Sequence, residues 1–349
     1  MRPRLDRRRF GRLVLGAGLT APYGFSRAFA ATPGPKDELV VGVWGGVQER
    51  LVRKYCLEPL VKKYGCKVSL VLGGTPERRA RAYVERGRPS FDIVYLNIYE
   101  SRQAQKDGVT QAVSTDVPQA AHLYGIARKG GYGVALNPVT VIYDKRKARR
   151  PVTSWRDIWN PEWRGRIAWP QFPSAQGAAG LLMAARVWGG SEHAIDVGFQ
   201  KVKELKPFPA LATSQDQLYQ MFDTGVCDLA IEFGSVSRKY AETRNPNLVV
   251  ADLHEGEVAA LNVACITVGA RNQRLAEEWI NLHLSAPCLE AYAQQTYYSP
   301  TVDNTPLPQG LEGKLIGPSQ VGRLIDFDWD FVNANQRQWA SRFNREIAG

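Results

Sequence analysis

Residues 38–74 read ELVVGVWGGVQERLVRKYCLEPLVKKYGCKVSLVLGG, and the architecture is worked out from this stretch. The opening ELVVGVW is an unbroken apolar run that stops at Gly45-Gly46, the pattern of a strand buried on both faces. A helical segment follows, with Leu51, Val52, Tyr55, Leu60, Val61 and Tyr64 at helical intervals and a bend expected at Pro59. KVSLVL (67–72) is a second strand, closed by a turn at Gly73-Gly74-Thr75. An Arg- and Glu-rich helix (76–86) and the strand FDIVYL (91–96) come next. Strand, helix, strand, helix, strand with buried-type strands predicts an α/β fold around a parallel sheet covered on both faces.

From Tyr132 a second unit begins. GYGVALN and TVIYDK read as strands, as do GRIAWP (165–170), CDLAIEF (227–233) and the run AALNVACITV (259–268). Helices are expected near 176–188, 191–204 and 214–224, and the last part carries amphipathic helices such as QRLAEEWINLHL. Trp155, Trp159 and Trp163 precede a strand and read as packing anchors. Two α/β lobes result, joined by crossings near Tyr132–Leu136 and Gly256–Asn262. The 319 residues after position 30 exceed what one core usually sustains.

In open parallel sheets ligands sit beyond the carboxyl ends of strands. That rule nominates the loops at Trp44, Gly45 and Gly46, at Gly74 and Thr75, at Asn97 and Tyr99, at 170–176 and at Glu232 and Phe233. Trp44, Tyr99, Tyr132, Trp169, Phe172 and Phe233 are candidate stacking walls, and Glu232 is the expected cleft carboxylate. The helix starts at Gly73-Gly74-Thr75 and at Ser174-Ala175-Gln176-Gly177 favour an anionic group through their free N–H groups. A zwitterion or an amine-bearing anion suits both kinds of group.

The amino terminus, LDRRRFGRLVLGAGLT (5–20) followed by SRAFAATPGP, has the layout of an export signal cut after Ala30. Its apolar run is broken by Gly16, Gly18, Pro22 and Gly24, whereas a membrane-spanning helix needs about 20 apolar residues. Arg7-Arg8-Arg9-Phe10 is similar to a twin-arginine signal, so export to an extracytoplasmic space is expected. Residues 1–30 hold seven arginines and one aspartate, which leaves 38 basic and 33 acidic side chains in the rest of the chain, a net charge of +5. Such a balance gathers no obvious basic face, and no nucleic-acid partner is expected. The five cysteines show no CxxC spacing, and the segment 54–68 reads as well with a Cys56–Cys66 bridge as with two buried thiols.

Nothing in the sequence demands bond-making chemistry. GxSxG, HExxH and P-loop patterns are absent, the four histidines are scattered, and Tyr297-Tyr298 reads as packing or loop rather than an iron site. No cofactor or metal is expected, and the protein is read as a non-enzyme. The alternative of an exported hydrolase would use Glu232 as base.

Several segments, in order, resemble bacterial ABC-transporter solute-binding proteins of the spermidine/putrescine-, thiamine-, ferric-ion- and aminophosphonate-binding group. They are the leader, residues 38–74, SFDIVYLNIYES, GYGVALNPVTVIYDK, SWRDIWNPEWRGRIAWPQFPSAQG, ATSQDQLYQMFDTGVCDLAI and AEEWINLHLSAPCLEAYAQQTYYSPT. The resemblance implies a type II-like periplasmic-binding-protein fold whose two lobes close about a hinge on a small solute. The partners it implies are a permease and ATPase in the inner membrane, with the binding protein a periplasmic monomer. A sensing subunit for a membrane receptor has the same fold. Where polyamine-binding relatives place an aromatic residue and an aspartate, this chain has Ala260 and Asn262. The expected organisation is an export signal (1–30), the first part of lobe 1 (36–136), lobe 2 (137–257) and a return to lobe 1 (258–349). The segment from Pro306 is left open between the lobes.

Overall fold

The computed structural model describes residues 33–349. The expected export signal lies outside the described residues. No helix among those described is long and apolar enough to cross a membrane.

Among the described residues ten strands form two five-stranded sheets. The first contains β1 (Glu38–Val43), β2 (Lys67–Leu72), β3 (Ile93–Asn97), β4 (Tyr132–Leu136) and β10 (Leu261–Ile266), in the order β2-β1-β3-β10-β4. The second contains β5 (Val139–Asp144), β6 (Ile167–Pro170), β7 (Leu211–Ala212), β8 (Leu229–Phe233) and β9 (Leu248–Val250), in the order β7-β6-β8-β5-β9. The expected parallel pairing holds for β1 with β2 and β3, and for β6 with β7 and β8. One strand in each sheet is reversed: β10 runs against β3 and β4, and β5 runs against β8 and β9. Both reversed strands follow a crossing. A chain that leaves one sheet at its cleft end must start the next strand there and run away from the cleft.

The crossings lie side by side. Asn137 N donates to Ala260 O at 2.9 Å, Val139 and Val258 exchange bonds of 2.8 and 2.9 Å, and Ala259 N donates to Ile325 O at 2.8 Å. Gly256 opens the return crossing with φ 97°, and a Cβ there would strike Arg323 O, so only glycine fits the turn.

Each sheet has its own core. Leu39, Val41, Ile93, Cys56, Trp279 and Cys288 are among the buried residues of the first, and Trp155, Trp163, Trp169, Phe172 and Phe199 among those of the second. A smaller cluster around Leu218, Phe222 and Ile142 covers the other face of the second sheet. The segment 47–64 is helical throughout, with a π-type stretch at Arg53–Leu57 just before Pro59. Proline lacks the N–H that would close the preceding turn, so the ladder widens there. All five cysteines are free, buried thiols, and Cys56 faces Cys288 rather than Cys66.

The carboxyl-terminal helix Trp329–Phe343 belongs to the second core through Trp339 and Phe343. Its leading end also meets the first lobe. Asp326 pairs with Arg102 at 2.9 Å and Lys129 at 2.8 Å, and the Trp329 and Tyr99 rings sit 5.2 Å apart.

Candidate functional site

The carboxyl ends of β1 and β3 and those of β6 and β8 open on one cleft of about 810 Å³. Walls come from both lobes, the two crossings and the carboxyl-terminal helix.

On the first lobe Trp44 Nε1 donates to Thr75 Oγ1 at 3.2 Å, and the buried Arg78 guanidinium lies 4.4 Å over the indole. Arg78 donates to Tyr95 O at 3.1 and 3.0 Å and to Gly73 O, and no carboxylate among the described residues pairs with it. Burial pulls its pKa down to about 10, against the pull of Glu100 and Glu77. The next residue, Arg79, lines the cleft directly. Glu100 lines it too, accepting from Asn97 N at 3.1 Å and Asn97 Nδ2 at 2.8 Å. Burial raises the Glu100 carboxyl above the ordinary range, opposed by those bonds and by Arg79 and Arg78.

On the second lobe Glu232 is 3% exposed and does not reach the cleft. Its Oε1 accepts from Phe233 N at 2.7 Å, Gln176 Nε2 at 2.8 Å and Gln215 Nε2 at 3.2 Å. Burial raises this carboxyl, and the three N–H groups oppose the shift. Gln176 and Gln215 themselves line the cleft.

Four helices begin at the cleft. They are Thr75–Val84, Ile98–Lys106 after the cap Asn97, Ala175–Val187 after Ser174, and Gln215–Asp223 after Ser214. Ser174 Oγ accepts from Gly177 N at 3.0 Å. The first-turn N–H groups that these caps leave free place partial positive charge at helix starts on both lobes. Carboxamides fill much of the remaining lining: Asn262 Nδ2 donates to Gln48 Oε1 at 3.1 Å, and Asn137 Oδ1 accepts from Ser235 N at 3.2 Å.

Of the residues expected at the site, the structure brings together Trp44, Thr75, Asn97, Tyr99, Ser174, Gln176, Phe233 and Asn262. Gly45, Gly46 and Gly74 lie outside the lining. Gly46 sits at the start of the 47–64 helix with φ 72°, and Gly74 is the cap of helix Thr75–Val84. Tyr132 is buried in the first core, where its Oη accepts from Ser114 N at 2.8 Å, because every side chain of β4 is enclosed. Phe172 is buried against Phe343, ring centroids 5.9 Å apart. Glu232 stands behind two glutamines, and Arg238 pairs with Glu257 at 2.9 Å instead of with it.

Sequence reasoning missed Arg79, Glu100, Gln48, Gln215, Tyr298, Asn333 and Gln336, all of which line the cleft. Two were accessible in principle. Arg79 is four residues after Thr75 on one helix face, and Asn97-x-x-Glu100 is a capping-box spacing. Asn333 and Gln336 carry no local signal, because their helix reaches the cleft only through the fold.

The likenesses to known proteins agree with this geometry. An ABC transporter from Clostridium perfringens ATCC 13124 superposes with TM-score 0.79 at 24% identity, covering 88% of this chain and 99% of that one. A periplasmic thiamin binding protein superposes with TM-score 0.66 at 22% identity, covering 89% and 96%. In sequence, the thiamine-binding periplasmic protein of Escherichia coli K12 is 23% identical over 208 residues, which are 59% of this chain and 61% of that relative's length. Residues 89–319, which include the second sheet, strands β3, β4 and β10 of the first and both crossings, match the bacterial extracellular solute-binding protein family, and the chain belongs to that family.

Proposed function

We propose that this chain is the extracytoplasmic solute-binding component of an ABC importer, and that it captures a small organic solute bearing both an anionic group and an amine. The observation that carries the proposal is the single cleft between the sheets, where helix starts from both lobes converge with Trp44, Tyr99 and Phe233. Arg79 and the helix start at Thr75 suit an anion, the aromatic rings suit a flat or cationic portion, and the carboxamides of the second lobe suit an amine. The thiamine-binding relative supports a nitrogen-bearing organic ligand. The side-by-side crossings are narrow enough to act as a hinge, so a solute touching both lobes would favour a closed form. Delivery to a permease and ATPase from the periplasm, as a monomer, completes the reading. A hydrolase using Glu232 is disfavoured, because that carboxylate is covered by Gln176 and Gln215.

A thermal-shift screen of thiamine, polyamines, aminophosphonates, amino acids and sugar phosphates tests it. A true ligand at a hundredfold excess over Kd stabilises the fold by about 2.7 kcal/mol. The reading fails if no solute raises Tm, or if a bound solute is returned chemically changed with turnover.

A further inference from the structure

Glu232 is a buried carboxylate with no basic partner among the described residues, placed one layer behind the cleft wall. Its Oε1 already accepts from Phe233 N at 2.7 Å, and an accepting oxygen can be approached closely only by further donors. Gln176 and Gln215 must therefore both turn their Nε2 toward it, as they do at 2.8 and 3.2 Å. Rotating either amide by half a turn would set its carbonyl oxygen against Glu232 Oε1, replacing an attraction with a repulsion. Both glutamines stand in the first turns of their helices, which fixes their backbones, and both line the cleft. With one N–H of each amide committed to Glu232, the rotation of both amides is fixed, each carbonyl Oε1 is left over, and no donor among the described residues is paired with either oxygen.

Resting on the solute-binding reading above, we propose that Glu232 is a positioning residue. It presets the Gln176 and Gln215 carboxamides so that the second lobe offers two carbonyl oxygens and selects a hydrogen-bond donor, an ammonium or hydroxyl group, at that end of the solute. The anionic end then falls to Thr75 and Arg79 on the first lobe, across the cleft.

The test is calorimetric titration of the intact protein with 2-aminoethylphosphonate, 2-hydroxyethylphosphonate and ethylphosphonate, which share one anionic group and differ at the other end. The wild type should bind the amine and the alcohol at least about tenfold more tightly than the ethyl compound, because a site built for a donor rejects an analogue lacking it. Glu232→Gln, whose side chain can donate as well as accept, frees the amides to rotate and should abolish that preference while Tm stays within a few degrees. A role confined to packing would lower Tm or overall affinity and leave the preference intact, which overturns the proposal. Gln215→Ala serves as a second variant: loss of one carbonyl should reduce the preference with Glu232 unchanged. Equal binding of all three compounds by the wild type overturns this inference and leaves the receptor reading standing. Binding of none overturns the inference, and the receptor reading falls with it only if the broader thermal-shift screen is also blank.

Discussion

Asn333 Nδ2 donates to the main-chain oxygen of Tyr99 across 2.9 Å, tying the carboxyl-terminal helix to the first lobe at the edge of the cleft. That helix is seated in the second core through Trp339 and Phe343, so this bond, like the Trp329–Tyr99 contact, spans the two halves of the molecule. Asn333→Ala should lower the unfolding free energy by about 1 kcal/mol in urea titrations. It should also weaken solute binding, because Asn333 lines the cleft. Unchanged binding would show that the helix only packs.

Asp326 makes the stronger link between the lobes, to Arg102 at 2.9 Å and Lys129 at 2.8 Å. Burial by itself would raise this carboxyl, but Lys129 and Arg102 hold it below the ordinary carboxylate range. A depressed folded pKa stabilises above the unfolded value, about 3.9, and that contribution disappears as pH falls through the folded value. Asp326→Asn should cost about 2 kcal/mol at pH 7, mostly through Arg102, because Lys129 is half exposed. Its stability should also fall less steeply than the wild type's in acid.

His283 is fully buried, its Nδ1 2.6 Å from Tyr95 Oη, which itself accepts from Trp279 Nε1 at 2.9 Å. Burial pushes the His283 pKa down to about 3. The unfolded chain protonates this residue near 6.5 and the folded one does not, so stability is lost as pH drops below that value. Between pH 7 and 5 the loss from this group is about 2 kcal/mol. His283→Phe should flatten the Tm profile in that interval, and an equally steep profile would assign the acid sensitivity to other groups.

Arg79 is a basic side chain that lines the cleft beside a helix start. Arg79→Gln should weaken anionic solutes about tenfold to a hundredfold, in line with one charge-assisted hydrogen bond, and reduce the salt dependence of binding. Uncharged analogues should be affected little. An equal loss for both kinds of ligand would argue against an anion on this lobe.

The alternating strand and helix order was legible in sequence because buried strands such as Glu38–Val43 and Ile93–Asn97 are apolar runs ended by turn residues. The reversed strands Val139–Asp144 and Leu261–Ile266 were not, since direction depends on where a crossing enters the sheet. The strand-end rule located the cleft but did not say which side chain at each end would face it. Glu232 and Phe233 are neighbours on opposite faces of one strand: the carboxylate turns behind two glutamines and the ring reaches the cleft. Tyr132 looked like a wall and is core, because its strand is enclosed on both faces. Asn333 and Gln336 arrive from the far end of the chain, a placement that tertiary packing alone determines.

Small-angle scattering of the protein with and without a saturating solute found in the thermal screen tests the central claim most directly. Closure of two lobes about side-by-side crossings predicts a smaller radius of gyration in the loaded state, with the change lost when the solute is removed by dialysis. A solute that binds tightly and raises Tm while leaving the scattering profile unchanged would contradict capture by closure.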